Sequence, residues 1–195
     1  GKMAGSSSFS INGPTYADGM IFVALAKGVV QAFDADSLES LWIYHDPLKG
    51  QPNCPITVSN GYAYTGFWNS ETGDASFVCI PIADERPTAS NEEKYAAWRH
   101  VQAGGFYWAG ACVQNGVLLV GTDDGQNSTS PVLSTGRVLL FDAATGALLD
   151  EVGGIRGDVR STICYDSGSN AYYATSKGGE FIRIKLDATG RKIAS

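Results

Sequence analysis

Charge is scarce in this chain. Of 195 residues only 17 % are Asp, Glu, Lys or Arg, too few for a coiled coil or a disordered segment. Basic residues are outnumbered, 14 against 20 acidic ones for a formal charge of −6, so a polyanion gains nothing from this surface and no nucleic-acid partner is expected. Apolar runs are short. None approaches the roughly 18 residues of a membrane span, and no basic-then-apolar leader is present, so membrane insertion is not expected. Gly1 stands where a starting Met would be, which reads as a piece cut from a longer protein.

Histidine is limited to His45 and His100, each read at the end of a strand with no second histidine at ligand spacing, so no metal is expected. The cysteines are Cys54, Cys79, Cys112 and Cys164. None forms a C-x-x-C pair, which removes zinc and thioredoxin-type readings. Each lies in an apolar run, where a buried free thiol is the commoner state. Helical patterning is confined to SNEEKYAAWRH (90–100), where Ser90 or Asn91 could cap and acids follow. It is read as a strand with a helical lead-in.

What is present is a repeat. Hydrophobic residues make up 44 % and glycine occurs 24 times. One phrase recurs: an apolar run, a turn built from Asp or Asn with Gly, and a second apolar run. The turns fall at Asp18, Asn60, Asn115 and Asn170, spaced by 42, 55 and 55 residues. Units of roughly 40–50 residues with insertions fit four-stranded propeller blades, and short Val-, Tyr-, Phe- and Thr-rich runs bounded by turn residues are strand chemistry. Each copy continues with a third run ending in aspartate (28–37, 76–85, 136–146, 180–190) and a short fourth run. The predicted fold is all-β: a propeller of four four-stranded antiparallel blades over residues 13–195, after an N-terminal linker at 1–12. Blade limits are expected near 13–50, 51–104, 105–157 and 158–195.

The phrase AFDADSLESLW, Ala32 to Trp42, resembles the tryptophan-docking repeat A-x-D-x-x-T-G-x-x-x-W of quinoprotein (PQQ) dehydrogenase-like β-propellers. Ala32, Asp34, Ser37 and Trp42 match in place, and Leu38 stands where the family has glycine. The third copy keeps Asp142, Thr145 and Gly146 but has Leu140 for the alanine and Asp150 for the tryptophan. The fourth keeps Asp187, Thr189 and Gly190, and the second retains Asp84 and Trp98. The resemblance implies that the aspartates and hydroxyls satisfy a turn while the tryptophan fills the space between blades. Complete rings in the family resemble seven- or eight-bladed assemblies. Four blades therefore read best as half of such a ring, ahead of a closed four-bladed ring or a half that pairs with its own copy. Arg183 and Lys185 make one face of the last blade polar, either exposed or meeting a neighbour through ion pairs.

Loops after the second strands and between blades should share one rim. That places Phe67, Trp68, Asn69, Phe106, Tyr107, Trp108, Asp123 and Arg156 together as a candidate ligand site, suited to a flat sugar or peptide. The competing reading has Phe106 and Trp108 packing between blades. Asp123 and Asp124, with Gly125 and Asn127, do not follow a calcium loop and read as an acidic solvated turn. Arg156, Asp158 and Arg160 read as a surface ion pair contributing roughly 0–1 kcal/mol. No G-x-S-x-G elbow occurs, and the serine clusters Ser6–Ser8 and Ser128–Ser130 lie in loops. Family enzymes place vicinal cysteines against the cofactor, with calcium beside it. No cysteines are adjacent here, so no cofactor is expected. The functional expectation is a non-enzymatic ligand- or protein-binding scaffold of a larger, exported or cell-surface protein. Its partners would be a carbohydrate, peptide or protein, with the rest of the ring or a second copy on its open blade faces. The alternative is part of a quinoprotein-type oxidoreductase.

Overall fold

In the computed structural model, residues 1–6, 12–127 and 133–195 are described, and these contain strands and no helix. Ser7, Ser8 and Ser128–Ser130 lie outside the described residues. Blade 1 is built from β1 (Thr15–Ala17), β2 (Met20–Leu25), β3 (Val29–Asp34) and β4 (Ser40–His45). Blade 2 comprises β5 (Thr57–Ser59), β6 (Tyr62–Gly66), β7 (Asp74–Pro81) and β9 (Trp98–Ala103), with β8 (Glu92–Lys94) inserted before its last strand. Blade 3 holds β10 (Cys112–Gln114), β11 (Val117–Gly121), β12 (Gly136–Asp142) and β13 (Leu148–Ile155). Blade 4 holds β14 (Cys164–Asp166), β15 (Ala171–Thr175) and β16 (Phe181–Ile184). Within each blade successive strands pair antiparallel.

The first hairpin of each blade turns at the recurrent Asp or Asn. Asp18, Asn60, Asn115 and Asn170 all take left-handed φ values of 48–50°, the backbone region these short polar side chains tolerate. The innermost strands then lie side by side in chain order, β1 by β5, β5 by β10 and β10 by β14.

Three apolar cores sit between successive blades. The first joins Phe22, Val30, Ala32 and Trp42 of blade 1 to Ala63, Phe67, Val78 and Ile80 of blade 2. The second packs Tyr64, Phe77 and Trp98 against Leu118, Leu139 and Phe141, and the third packs Leu119, Val138 and Leu140 against Tyr172, Ala174 and Ile184. Blades 2 and 3 are thus covered on both faces, which their all-apolar strands require. Trp42 is fully buried and donates its indole N–H to the Ile82 carbonyl of the next blade at 3.0 Å. Trp98 repeats the device on Ala143 at 2.9 Å. At the third interface Asp150, standing in the tryptophan's place, accepts the backbone N–H of Ile193 at 2.8 Å, and Arg191 reaches back to Asp142 at 2.8 Å. A polar joint replaces the aromatic one.

The motif turns form as the resemblance implies. Asp34 Oδ1 accepts from Ser37 N–H at 2.7 Å and Ser37 Oγ–H at 2.9 Å. Asp187 Oδ1 accepts from Thr189 N–H and Oγ1–H, and Asp142 Oδ1 from Thr145 N–H. Gly146 has φ 72°, and a Cβ there would stand 2.5 Å from the Trp98 ring; the glycine makes room for the preceding blade's tryptophan. Leu38 adopts φ 56° with half its surface exposed. Leu38→Gly is therefore expected to stabilise the chain by about 0.5–1 kcal/mol, left-handed strain relieved minus the entropy glycine adds to the unfolded chain. An upward shift of the urea midpoint checks this; a downward shift contradicts it.

Three expectations are corrected. The 90–100 segment has no helical lead-in: Glu92–Lys94 pairs in parallel with β4 and makes the first sheet five-stranded. Glu92 and Lys94 point inward and pair at 3.6 Å, an alternation a helix would break. The last blade has three strands, its fourth reduced to a bridge between Leu186 and Ile193. His100 lies within β9 rather than at its end, edge-on to Phe141 at 4.9 Å. The expected polar face of blade 4 is exposed: Arg183 and Phe181 (76 % exposed) lie on it, with Phe181 stacked on Tyr173 at 5.8 Å.

Candidate functional site: an aromatic and ion-pair cluster on the rim

Each blade's second strand ends against the preceding inter-blade linker through main-chain hydrogen bonds. Gln51 and Trp68 exchange two, Asp123 N–H donates to Gly105 O at 3.0 Å, and Lys177 N–H donates to Asp158 O at 2.8 Å. Residues at these two places are therefore brought together on one rim although they are far apart in sequence. The 104–108 linker doubles back through Gly104, Gly105 and Trp108, with φ of 78°, 62° and 60°. A Cβ on Gly105 would meet Ala75 at 2.6 Å and Phe67 O at 2.8 Å, so only glycine lets the linker press this close. The turn throws Tyr107 and Trp108 outward.

The rings of Trp68 and Tyr107 lie 4.9 Å apart, and those of Tyr107 and Trp108 lie 4.4 Å apart. Trp108 is 41 % exposed. The Arg160 guanidinium stands over Tyr107 at 4.4 Å and 5.9 Å from Trp108. Arg160 also holds Asp123 in a two-pronged pair, Nε to Oδ1 at 2.9 Å and Nη2 to Oδ2 at 2.6 Å. Its Nη2 lies 3.0 Å from Asp158 and 3.6 Å from Glu71. Trp68 Nε1–H donates to Asp123 Oδ2 at 3.1 Å, so one carboxylate fixes both an aromatic ring and the guanidinium that stacks on its neighbour. Asp158 in turn accepts Asp124 N–H at 3.0 Å and the Lys177 ammonium at 3.3 Å.

Of the expected site residues, Trp68, Tyr107, Trp108 and Asp123 meet here. Phe67 and Phe106 are fully buried in the first and second cores, which is the packing role weighed for Phe106; Trp108 does not share it. Asn69 is exposed and braces its own loop, donating to Asp74 O at 2.7 Å. Arg156 is exposed and stands apart, its backbone N–H donating to Glu180. The arginine in the cluster is Arg160. Asp123 is not part of a solvated turn, being almost wholly buried, and Asp158 is buried as well, so their pairing with Arg160 is no surface contact. Glu71 had given no signal; its Oε2 is buried without a hydrogen-bond partner.

Burial pushes the Asp123 carboxyl up to about 7, against the pull of Arg160 and with the charges of Asp158 and Glu71 adding to the rise. The turn hydrogen bonds hold Asp34 and Asp187 below the ordinary 3.8. The signs follow. Between about pH 4 and 7 the Asp123 carboxyl binds more protons in the folded chain than in the unfolded one, so its contribution to stability falls as pH rises, while His100, held below 6.5 by burial, acts with the opposite sign. Below 3.8 the turn aspartates lose their advantage and stability falls with acid. Between pH 4 and 7 the wild type should lose more stability in urea denaturation than Asp123→Asn, which lacks this carboxyl; equal pH slopes for the two contradict the assignment.

The oxygens of Glu71, Asp123 and Asp158 lie within 4.8 Å of one another, yet Arg160 already stands against all three. Together with the lack of adjacent cysteines, this does not fit a quinone held beside a calcium ion.

Blades stacked in chain order around neighbouring inner strands define an open arc of a β-propeller. No protein-family model matches the chain, and no curated sequence does. Solved structures do. The chain superposes on quinohemoprotein alcohol dehydrogenase from Comamonas testosteroni with a TM-score of 0.64 at 16 % identity, covering 93 % of this chain and 34 % of that one. BamB from Moraxella catarrhalis gives 0.60 at 14 % identity, over 91 % and 49 %. The computationally designed Ika4 protein gives 0.62 at 12 %, over 93 % and 92 %. The fold is thus that of a β-propeller, and the chain spans a third to a half of these two natural ones.

Proposed function

We propose that this chain is a non-enzymatic binding segment of a larger propeller, and that the Trp68–Tyr107–Trp108 platform takes a flat ligand, a carbohydrate ring or an extended peptide. One observation carries the reading: Trp108 is held half-exposed in a left-handed conformation that costs a bulky residue free energy. Strain in an exposed aromatic is what a ligand platform retains and a packing residue would shed. A sugar or peptide plane stacks on the free face of Trp108, while Arg160, immobilised by its carboxylates, holds Tyr107 against the other face. Low overall charge and abundant Ser, Thr, Gly and Asn suit an exported or cell-surface setting. The outer face of blade 4, with Phe181 and Tyr173, is the second contact surface, for further blades or a second copy; sedimentation over a range of concentrations reads self-association there.

The test is a titration of oligosaccharide and peptide panels followed by tryptophan fluorescence and calorimetry. Trp108→Gly removes the ring and relieves the backbone, so the fold should survive while affinity falls about tenfold or more. Unchanged affinity in that variant, or no ligand in either panel, contradicts the proposal. Dye-linked alcohol oxidation by the purified chain would favour the oxidoreductase reading instead.

A further inference from the structure

Each blade turns one face to the blade before it and the other to the blade after it, and strand register identifies both faces at the ends of the arc. Val23 pairs with Gln31 as Thr65 pairs with Val78, Val120 with Leu139 and Ala174 with Ile182. Val78, Leu139 and Ile182 lie in the cores towards the preceding blade. Gln31, with Leu25 and Phe33 on the same side of the sheet, therefore belongs to the face that blade 1 turns to a predecessor. All three are buried, yet none is part of the three inter-blade cores. Residues 1–6 lie across them. The Gln31 side chain accepts Ala4 N–H at 2.8 Å and donates to Lys2 O at 3.2 Å. A Cβ on Gly5 would stand 3.6 Å from Leu25 Cβ, and one on Gly1 3.3 Å from the Phe33 ring. Ser6 O accepts Ala26 N–H at 2.7 Å. The cover is thin: Gly1, Ala4 and Gly5 bring little apolar surface, Met3 is exposed, and clefts of about 540 and 460 Å³ open beside the segment.

At the other end, Tyr173 pairs with Arg183 and Thr175 with Phe181, as Phe22 pairs with Ala32 and Ala24 with Val30 in blade 1. Phe22, Val30 and Ala32 pack on the next blade. Tyr173, Phe181 and Arg183 thus form the face that blade 4 turns to a successor, and Phe181 and Arg183 are exposed. The two end faces match. Gln31 brings an amide where the other blades have Val78, Leu139 and Ile182, and Arg183 brings a guanidinium where they have Ala32, Cys79 and Leu140. Leu38 occupies the motif position at which Gly146 makes room for Trp98 of the preceding blade, and blade 4 carries no tryptophan that would need that room.

We propose that the face under residues 1–6 is a docking surface for blade 4 of a second copy of this chain. Two copies then join head to tail as successive blades do within one chain, a heterologous contact, and residues 1–6 are a strap that must lift first. The proposal rests on the reading of blade 4's free face as a contact surface. Lifting the strap frees the Gln31 amide to accept from the Arg183 guanidinium, while Phe181 and Tyr173 supply the apolar cover that Leu25 and Phe33 lose. The strap competes with the second copy, so the apparent affinity scales with the fraction of chains whose strap is open.

The experiment uses the intact chain and two substitutions at exposed positions. Ala4→Pro removes the N–H that Gln31 accepts and leaves both end faces unchanged. Phe181→Asp puts a charge on the blade 4 face. Sedimentation over a concentration series is run on the wild type, both variants and the double variant, and associated chains are cross-linked from an equal mixture of ordinary and heavy-nitrogen-labelled protein. Ala4→Pro should associate at about a tenfold lower concentration than the wild type, the shift expected when the competing strap loses one hydrogen bond. Phe181→Asp should stay monomeric with or without Ala4→Pro, and links between differently labelled chains should join blade 4 to blade 1. Equal association of Ala4→Pro and wild type, links joining blade 4 to blade 4, or a chain that stays monomeric even with Ala4→Pro overturns the proposal. Association that Phe181→Asp leaves intact overturns the reading of the blade 4 face as well.

Discussion

Trp42→Ala is expected to lower the unfolding free energy by roughly 3–5 kcal/mol, the usual cost of emptying a large aromatic site that cannot collapse. Two losses combine. The ring is fully buried between blades 1 and 2 and packs against Phe22 at 5.8 Å. Its removal also strands the Ile82 carbonyl, now paired at 3.0 Å, at a cost of about 1–3 kcal/mol for an unsatisfied buried group. Trp42→Phe separates the two, since it retains most of the volume and loses only the hydrogen bond. Chemical denaturation of the three proteins should rank them wild type, Phe, Ala. An alanine variant within about 1 kcal/mol of wild type would mean that the tryptophan does not join the blades, because surface substitutions lie in that range.

Arg160→Met should cost about as much, roughly 3–5 kcal/mol at neutral pH, because it leaves buried acids without their counter-charge. Asp123 would keep only the Trp68 N–H, and Asp158 the Lys177 ammonium and one backbone N–H. The penalty has a pH signature that a packing defect lacks. Without Arg160 the Asp123 carboxyl, already pushed up to about 7 by burial, rises further. The variant should therefore go on losing stability above pH 7, where this carboxyl's contribution in the wild type levels off, and the penalty should grow with pH. Double substitution with Asp123→Asn should cost less than the single change, the coupling expected of groups in direct contact. Denaturation curves at pH 6 and pH 8.5 decide it. A penalty independent of pH would assign Arg160 a packing role only.

The legibility of this chain followed the range of the interactions. The Asp-Gly and Asn-Gly turns at Asp18, Asn60 and Asn115 are settled by their own backbone preferences, and the Asp34–Ser37 turn by hydrogen bonds three residues apart, so both show in the sequence. Trp42 is legible because its repeat carries it. What escaped depends on distant partners. Asp123 looks like a solvated turn residue until Arg160, 37 positions on, is placed beside it. Choosing Arg160 over Arg156 needs the register of the linker against the next blade, which no local pattern supplies. Glu92 and Lys94 resemble a helix start because nothing nearby shows that they face inward to pair beside β4. Leu38 is visible as a departure from the motif, and its half-exposed position leaves room for the side chain.

The central claim is that the blades are fastened in chain order by docked indoles, and hydrogen exchange of the four tryptophan side-chain N–H groups tests it most directly. Trp42 and Trp98, bonded to Ile82 and Ala143 of the following blades, should exchange slowest. Trp68, held by Asp123, should be intermediate, and half-exposed Trp108 fastest. Four indoles exchanging at similar rates, or Trp42 and Trp98 exchanging as fast as Trp108, would contradict the arrangement.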